Sequence, residues 1–329
     1  MSRARYLLFR IVQTIFLIWL AATAVFFLMR AMPGSYADQL VFAGASPETI
    51  AALEEKWGLN DPLYIQYLQF IGNLLTFDSG VSLRFNEPVW EVIRPKMFNS
   101  FILVAPAITS AYVVGSVIGA VMGTRHGSLF ERYGIVPIVY VGAFPSFITA
   151  IFLIIIFSGE LNWFPSQGIL SASATNELTD SAWWKAYFHP DFAMHYVLPF
   201  TAVFLRYLYL PSLIMRTSIV EVLEQDFVEY QRLVGRSKLN RLQQLSKHAS
   251  LPVITIYPIS MTRAISGLIL IETVFNWPGL GFELFKAILN RDFPVLQFVF
   301  FLIAVFIILS NFFVDVLYGF IDPRVSIDD

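Results

Sequence analysis

VLQFVFFLIAVFIILSNFFVDVLYGF, residues 295–320, contains a single charged residue, Asp315. A bilayer core is crossed by about 20 predominantly apolar residues of helix, and this run is long enough to do so. Five more stretches read the same way: Leu7 to Met29, Phe101 to Met122, Ile135 to Phe157, Tyr196 to Ile214 and Pro252 to Phe275. Their length and their lack of strict alternation select helices over a barrel. Composition agrees: the chain is 57% hydrophobic and 14% charged, with a mean hydropathy of +0.64, where a soluble domain carries about 25% charge. The expectation is an all-α integral membrane protein with about six transmembrane helices. The first stretch follows a basic start, Arg3, Arg5 and Arg10, and Ala22-Thr23-Ala24 resembles a signal cleavage site. Apolar residues continue past it through Leu28, too far for a signal peptide, so it reads as a retained span.

Lysine and arginine in short loops set the orientation. They gather at the N-terminus, at Arg125 and Arg132, and at Arg216, Arg232, Arg236, Lys238, Arg241 and Lys247. The 159–193 loop instead has Lys185 against Glu160, Glu177, Asp180 and Asp191. Both termini are therefore expected in the cytoplasm of a multi-pass protein of a prokaryotic plasma membrane. The chain divides into residues 1–30 (first span), 31–98 (an extracytoplasmic insert) and 99–329 (a five-span core), with a cytoplasmic loop at about 217–251. Inside the insert, Ser46-Pro47-Glu48 reads as a helix start ending at Gly58. Tyr64, Tyr67, Leu68 and Ile71 mark a second amphipathic helix. Trp163, Trp183 and Trp184 fit an interfacial aromatic belt.

The chain lacks the marks of an enzyme. There is no P-loop, no H-E-x-x-H and no G-x-S-x-G, no cysteine, and no ligand-type spacing among His126, His189, His195 and His248. These histidines suit capping or surface roles. No basic arm points to nucleic acid. Charges within the spans are the other place to look, because an ionisable group at bilayer depth finds a partner or lines a cavity. Arg216 and Asp315 lie close enough to helix ends to reach water. Arg206 and Arg263 lie deeper and read equally as structural ion pairs or as lining of a solute path, with Glu272 a further pathway candidate. Gly115, Gly119 and Gly123 form a small-residue ridge for close helix packing, within the chain or across a dimer.

The loop between spans four and five has a pattern of its own. Val220, Leu223, Phe227 and Tyr230 continue a helical period, Gly235 permits a reversal, and Ser237 can cap a new helix. Leu239, Leu242 and Leu245 would give that helix an apolar edge before Pro252 opens the next span. A helix, a glycine turn and a second helix make a knob suited to a partner's groove.

At this point the sequence resembles a family: the dipeptide/oligopeptide class of ABC-importer permeases. Asp226-Phe227-Val228, Arg232, Gly235 and Leu251-Pro252 match that family's cytoplasmic loop, with Gln231-Arg232-Leu233-Val234-Gly235 where Ala-Arg-Ala-Lys-Gly is common. Arg30-Ala31-Met32-Pro33-Gly34 resembles R-x-x-P-G. Trp57-Gly58-Leu59-Asn60-Asp61-Pro62-Leu63 with Gln66-Tyr67 resembles L-G-L-D-x-P-x-x-x-Q-Y, and Asp78-Ser79-Gly80-Val81-Ser82 resembles D-x-G-x-S. Residues 271–281, 291–295 and 314–324 match closely, in order across nearly the whole chain.

The resemblance implies a non-catalytic permease subunit that binds no cofactor, with ATP and Mg held by two cytoplasmic ATP-binding partner subunits. It also implies a second homologous permease chain and an extracytoplasmic binding protein delivering a peptide or similar small solute. Coupling to the ATPases would involve Asp226, Arg232, Gly235, Ser237, Leu239 and Leu242. Trp277, Pro278, Gly279, Gly281, Arg291 and Asp292 would form an outer gate or a contact for the binding protein. The same machinery carrying an oligosaccharide or nickel chelate stays open, as does a self-sufficient secondary transporter, although matched inverted repeats with broken helices are not evident.

Overall fold

The structure, a computed structural model, describes residues 3–32, 46, 48, 60–178 and 182–321. Among these it is helical, and the only strand pairing is an isolated bridge between Val81 and Pro88. The long helices are α1 (Arg3–Ala31), α3 (Val89–Thr124), α7 (Pro190–Leu223), α10 (Leu251–Val274) and α12 (Phe293–Ile321). Between them lie α2 (Leu63–Leu75), α4 (Leu129–Ala143), α5 (Ser146–Leu153), α6 (Ala172–Glu177), α8 (Asp226–Leu233), α9 (Lys238–Ala249) and α11 (Leu280–Leu289). Four helices are long and apolar enough to cross a membrane, and six spans result if α4 with α5 and the bent α10 each count as one. The expected six spans correspond to the upper count of these four to six. Of the helix expected from Ser46 to Gly58 all but residues 46 and 48 lie outside the described residues, whereas the one at Tyr64–Ile71 falls within α2.

Two spans differ in shape from the expectation. The stretch from Ile135 to Phe157 is not one straight helix: α4 and α5 meet at 98°. Pro145 is the cause. Its ring disfavours helical geometry at the preceding residue, and Phe144 is extended (φ −69°, ψ 140°). Beyond α5 the backbone continues as a π-helix, Ile154–Glu160. The second span begins early, at Val89, because Glu91, Arg94 and Lys96 prolong the helix ahead of its apolar run.

The chain forms two compact units, residues 1–96 with 283–329, and residues 97–282. In the first, α1 packs along α12 and against α2. Asp315 pairs with Arg10 at 2.9 Å, so it finds a partner within the protein instead of relying on water at the helix end. Leu8, Phe9, Val12, Ile15 and Phe16 on α1 are exposed. Such a contiguous apolar surface is costly in water and is at no disadvantage in lipid.

In the second unit α7 is the central element, contacted by α4, α5, α9 and α10. Helices in lipid gain little from apolar burial, so close packing of small residues holds them together. The glycine ridge of α3 does this within the chain. A Cβ at Gly115 would meet Leu208 and Pro211, one at Gly119 would meet the backbone of Ser212, and one at Gly123 would meet Ile219. At the end of this contact Arg216 reaches across to the buried Glu131, its Nε donating at 2.7 Å, with His126 completing the cluster. Arg216, too, was expected to reach water and is paired instead.

Candidate functional site

A cavity of about 320 Å³ opens among α3, the start of α5, α7 and α10 in the second unit. The break between α4 and α5 brings Pro145, Ser146 and Phe147 to its wall, α7 brings Arg206, Tyr207 and Leu210, and α10 brings Ser260 and Arg263. The position of Arg206 follows from the break. A helix end leaves its last carbonyls without intrahelical donors, and α4 stops at Ala143. Arg206 Nη1 donates to the Gly142 carbonyl at 3.2 Å, at the negative end of the α4 dipole. Its guanidinium also lies over the rings of Tyr207 and Tyr209, at 5.9 and 5.5 Å. Arg263 is exposed and lines the same cavity. Among the described residues neither arginine has a carboxylate in ion-pair range, and no acidic residue lines the cavity. The structure thus brings together two of the three pathway candidates.

The third, Glu272, lies elsewhere. Its carboxylate is fully buried and accepts from Ser100 Oγ at 2.5 Å and from the Phe282 N–H at 2.8 Å. Ser100 Oγ in turn accepts from the Leu280 N–H at 2.7 Å. Gly279 must be glycine here, because a Cβ would run into this carboxylate. Asn99 completes the knot: its Nδ2 donates to the Pro278 carbonyl at 2.7 Å, its backbone oxygen accepts from Trp277 Nε1 at 3.1 Å, and its Oδ1 accepts from the Tyr187 hydroxyl at 2.8 Å. These bonds hold the turn at 277–281, and Trp277 has no accessible surface. It anchors the turn from inside.

Asp292 is likewise buried, in the first unit. It accepts from Ser82 Oγ at 2.5 Å and from the N–H groups of Leu83 and Arg84 at 3.3 Å, so D-x-G-x-S and R-D-F-P join in space. Arg291 beside it is exposed in a left-handed conformation, φ +51°. Near them Glu283 is buried, with Lys96 at 3.5 Å and Arg84 at 3.9 Å. In the same unit Arg30 donates to Gln66 Oε1 at 2.9 and 3.0 Å, joining two more sequence motifs. The knot-forming Asn99, Ser100 and Tyr187 were not singled out from sequence. Their only signal was polarity at the edge of a span.

The loop between α7 and α10 is a helix hairpin. The helical period expected to run on through Tyr230 is interrupted at Glu224, and α8 restarts at Asp226, whose carboxylate suits the positive end of that helix. Gly235 makes the turn with φ +75°, a region open to glycine. Ser237 caps α9, accepting from the Asn240 N–H at 3.3 Å. Leu245 and Ala249 are buried and α9 packs on α7, while Phe227 lies against the His248 ring. Tyr230, Leu233 and Val234 at the tip are exposed. The side chains of Arg232, Leu239 and Leu242 lie outside the described residues.

These motif contacts span the chain, and so do its matches to known families. Residues 3–101 match the N-terminal region, and residues 115–327 the main body, of the binding-protein-dependent transport system inner membrane components. The chain belongs to this family. It is therefore a permease subunit of the ABC transporter class, a multi-pass membrane protein without catalytic chemistry of its own. This permease is similar to the dipeptide transport system permease protein DppB of Alkalihalophilus pseudofirmus, at 31% identity over 92% of this chain and 93% of that one. It is 30% identical to the oligopeptide transport system permease protein AppB of Bacillus subtilis, over 98% and 99% of the two chains. It is 32% identical to the DppB of Escherichia coli K12, over 86% of each.

Proposed function

We propose that this permease forms half of the membrane path of an ATP-driven importer for di- or oligopeptides. The observation that carries the reading is similarity along nearly the full length to relatives named as dipeptide and oligopeptide permeases. A cavity among the spans that holds two arginines without acidic neighbours supports it. In this reading a second, homologous permease completes the path, a binding protein delivers cargo outside, and two cytoplasmic subunits bind ATP and Mg. The α8–α9 hairpin is the coupling element. Its exposed tip, Tyr230, Leu233 and Val234, offers apolar surface to a cleft in an ATPase subunit, and its packing on α7 through Leu245 and Ala249 gives ATPase motion a lever on a cavity-lining helix. Both termini are inside, and the 31–98 segment lies outside near the delivered cargo.

The test is reconstitution of the complete complex in liposomes with a labelled dipeptide. ATP-dependent uptake that requires the binding protein is expected. Uptake driven by a proton gradient without ATP would overturn the reading. Gly235→Pro separates coupling from assembly: proline fixes φ near −65°, which the +75° turn cannot accept. The variant should insert and assemble while peptide-stimulated ATP hydrolysis falls to its unstimulated rate.

A further inference from the structure

We infer that Arg206 and Arg263 together form a transient site for a carboxylate of the passing cargo. The inference rests on the peptide-importer reading and adds the chemical group that the cavity recognises. Both arginines line one cavity of about 320 Å³, at the lower end of the range of small-ligand pockets. Tyr207, whose ring lies 5.9 Å from the Arg206 guanidinium, lines the same cavity. A charge at membrane depth ordinarily finds a counter-charge. Here the carboxylates that could serve are committed elsewhere: Glu131 to Arg216, Asp315 to Arg10, and Glu272 to Ser100 and the Phe282 N–H.

Arg206 spends one N–H on the Gly142 carbonyl, and that bond positions the guanidinium without neutralising it. A planar guanidinium matches a carboxylate with two parallel hydrogen bonds, and every free peptide carries a main-chain carboxylate. Ser260, on the same wall, exchanges a hydrogen bond with Tyr112 at 2.5 Å and so is already engaged. Among the residues that line the cavity, the arginines are the charged groups that can meet an anion. A site on a path must also release its cargo. A partly buried arginine on α7 and an exposed one on α10 suit brief binding that ends when the helices move apart.

The experiment uses the reconstituted full complex and one dipeptide in two forms, with a free and with an amidated C-terminus. The quantity read is the ratio of their import rates. Any preference of the binding protein is common to every permease variant, so a change in this ratio between variants reports the membrane cavity alone. The double variant Arg206→Gln/Arg263→Gln is expected to lower the ratio by about tenfold, the scale of a lost charged hydrogen bond. Arg263→Gln alone should lower it without disturbing the Gly142 contact. Arg263→Lys, which keeps the charge and loses the fork, should fall between. An amidated peptide bearing a glutamate side chain separates the two sources of carboxylate: sensitivity to the same variants would extend the site to acidic side chains. Import of both forms at a ratio unchanged in every variant would overturn the inference and leave the peptide importer standing. Import of neither form by the unsubstituted complex would remove the importer reading and this inference with it.

Discussion

Glu272 illustrates how one residue is read differently by pattern and by packing. In the sequence it is an acid within an apolar run. In the structure it is the hub of a buried knot that satisfies Ser100 and the N–H of Phe282 and fits closely against Gly279. A buried polar group left without its partner costs about 1–3 kcal/mol. Glu272→Ala orphans more than one donor and should destabilise the permease by about 2–4 kcal/mol. Ser100→Ala should cost about half as much. The double variant should cost clearly less than the sum, because both side chains belong to one network. Thermal unfolding in detergent measures all three, and strict additivity would show that the knot is not shared. Such partnerships were illegible in sequence: Ser100 and Glu272 are 172 positions apart, and no local rule links them. Arg10 with Asp315 and Arg216 with Glu131 escaped for the same reason.

At the scale of elements, local chemistry was a better guide. Gly235 and Ser237 placed the hairpin turn and the α9 cap because a positive φ and an N-cap are properties of a few adjacent residues. The ridge of Gly115, Gly119 and Gly123 was also legible as a packing surface, but its partner was not. Only packing showed that α7 of the same chain covers it. Gly119→Leu should therefore drive α3 and α7 apart and yield aggregated protein by size-exclusion chromatography. Gly72→Leu on α2 is the control: a Cβ there meets nothing within 4 Å, and this variant should elute as the native protein does. The bend at Pro145 shows the limit of span counting. Hydropathy treats Ile135–Phe157 as one stretch, while a single proline turns it through 98°.

For the whole molecule, topology is the quantity to test, and the absence of cysteine from the sequence makes each introduced cysteine a clean reporter. Lys185→Cys, before α7, should react with a membrane-impermeant maleimide in intact cells. Ser237→Cys, after α7, should react only in inverted vesicles. Labelling of both from one side would contradict the orientation expected from the positive loops. Purification in mild detergent should recover a second permease-like chain and P-loop ATPases, identified by mass spectrometry. Recovery of this chain alone, beside a control complex that stays intact, would favour a self-sufficient transporter.

Taken alone, the sequence determined that the chain is a helical membrane protein of about six spans, where those spans lie, which loop carries a turn and a cap, and which family its motifs resemble. Each of these depends on composition or on residues close together in the chain, where length, period and backbone freedom act directly. Tertiary structure decided which charges pair, which are buried as anchors and which face a cavity. Arg206 and Arg263 share a wall because α4 breaks at Phe144 and α7 and α10 pack side by side. Trp277 is an anchor because Asn99 meets it from another helix. The energies of such contacts reside between segments far apart in sequence, so only the packed helices specify them.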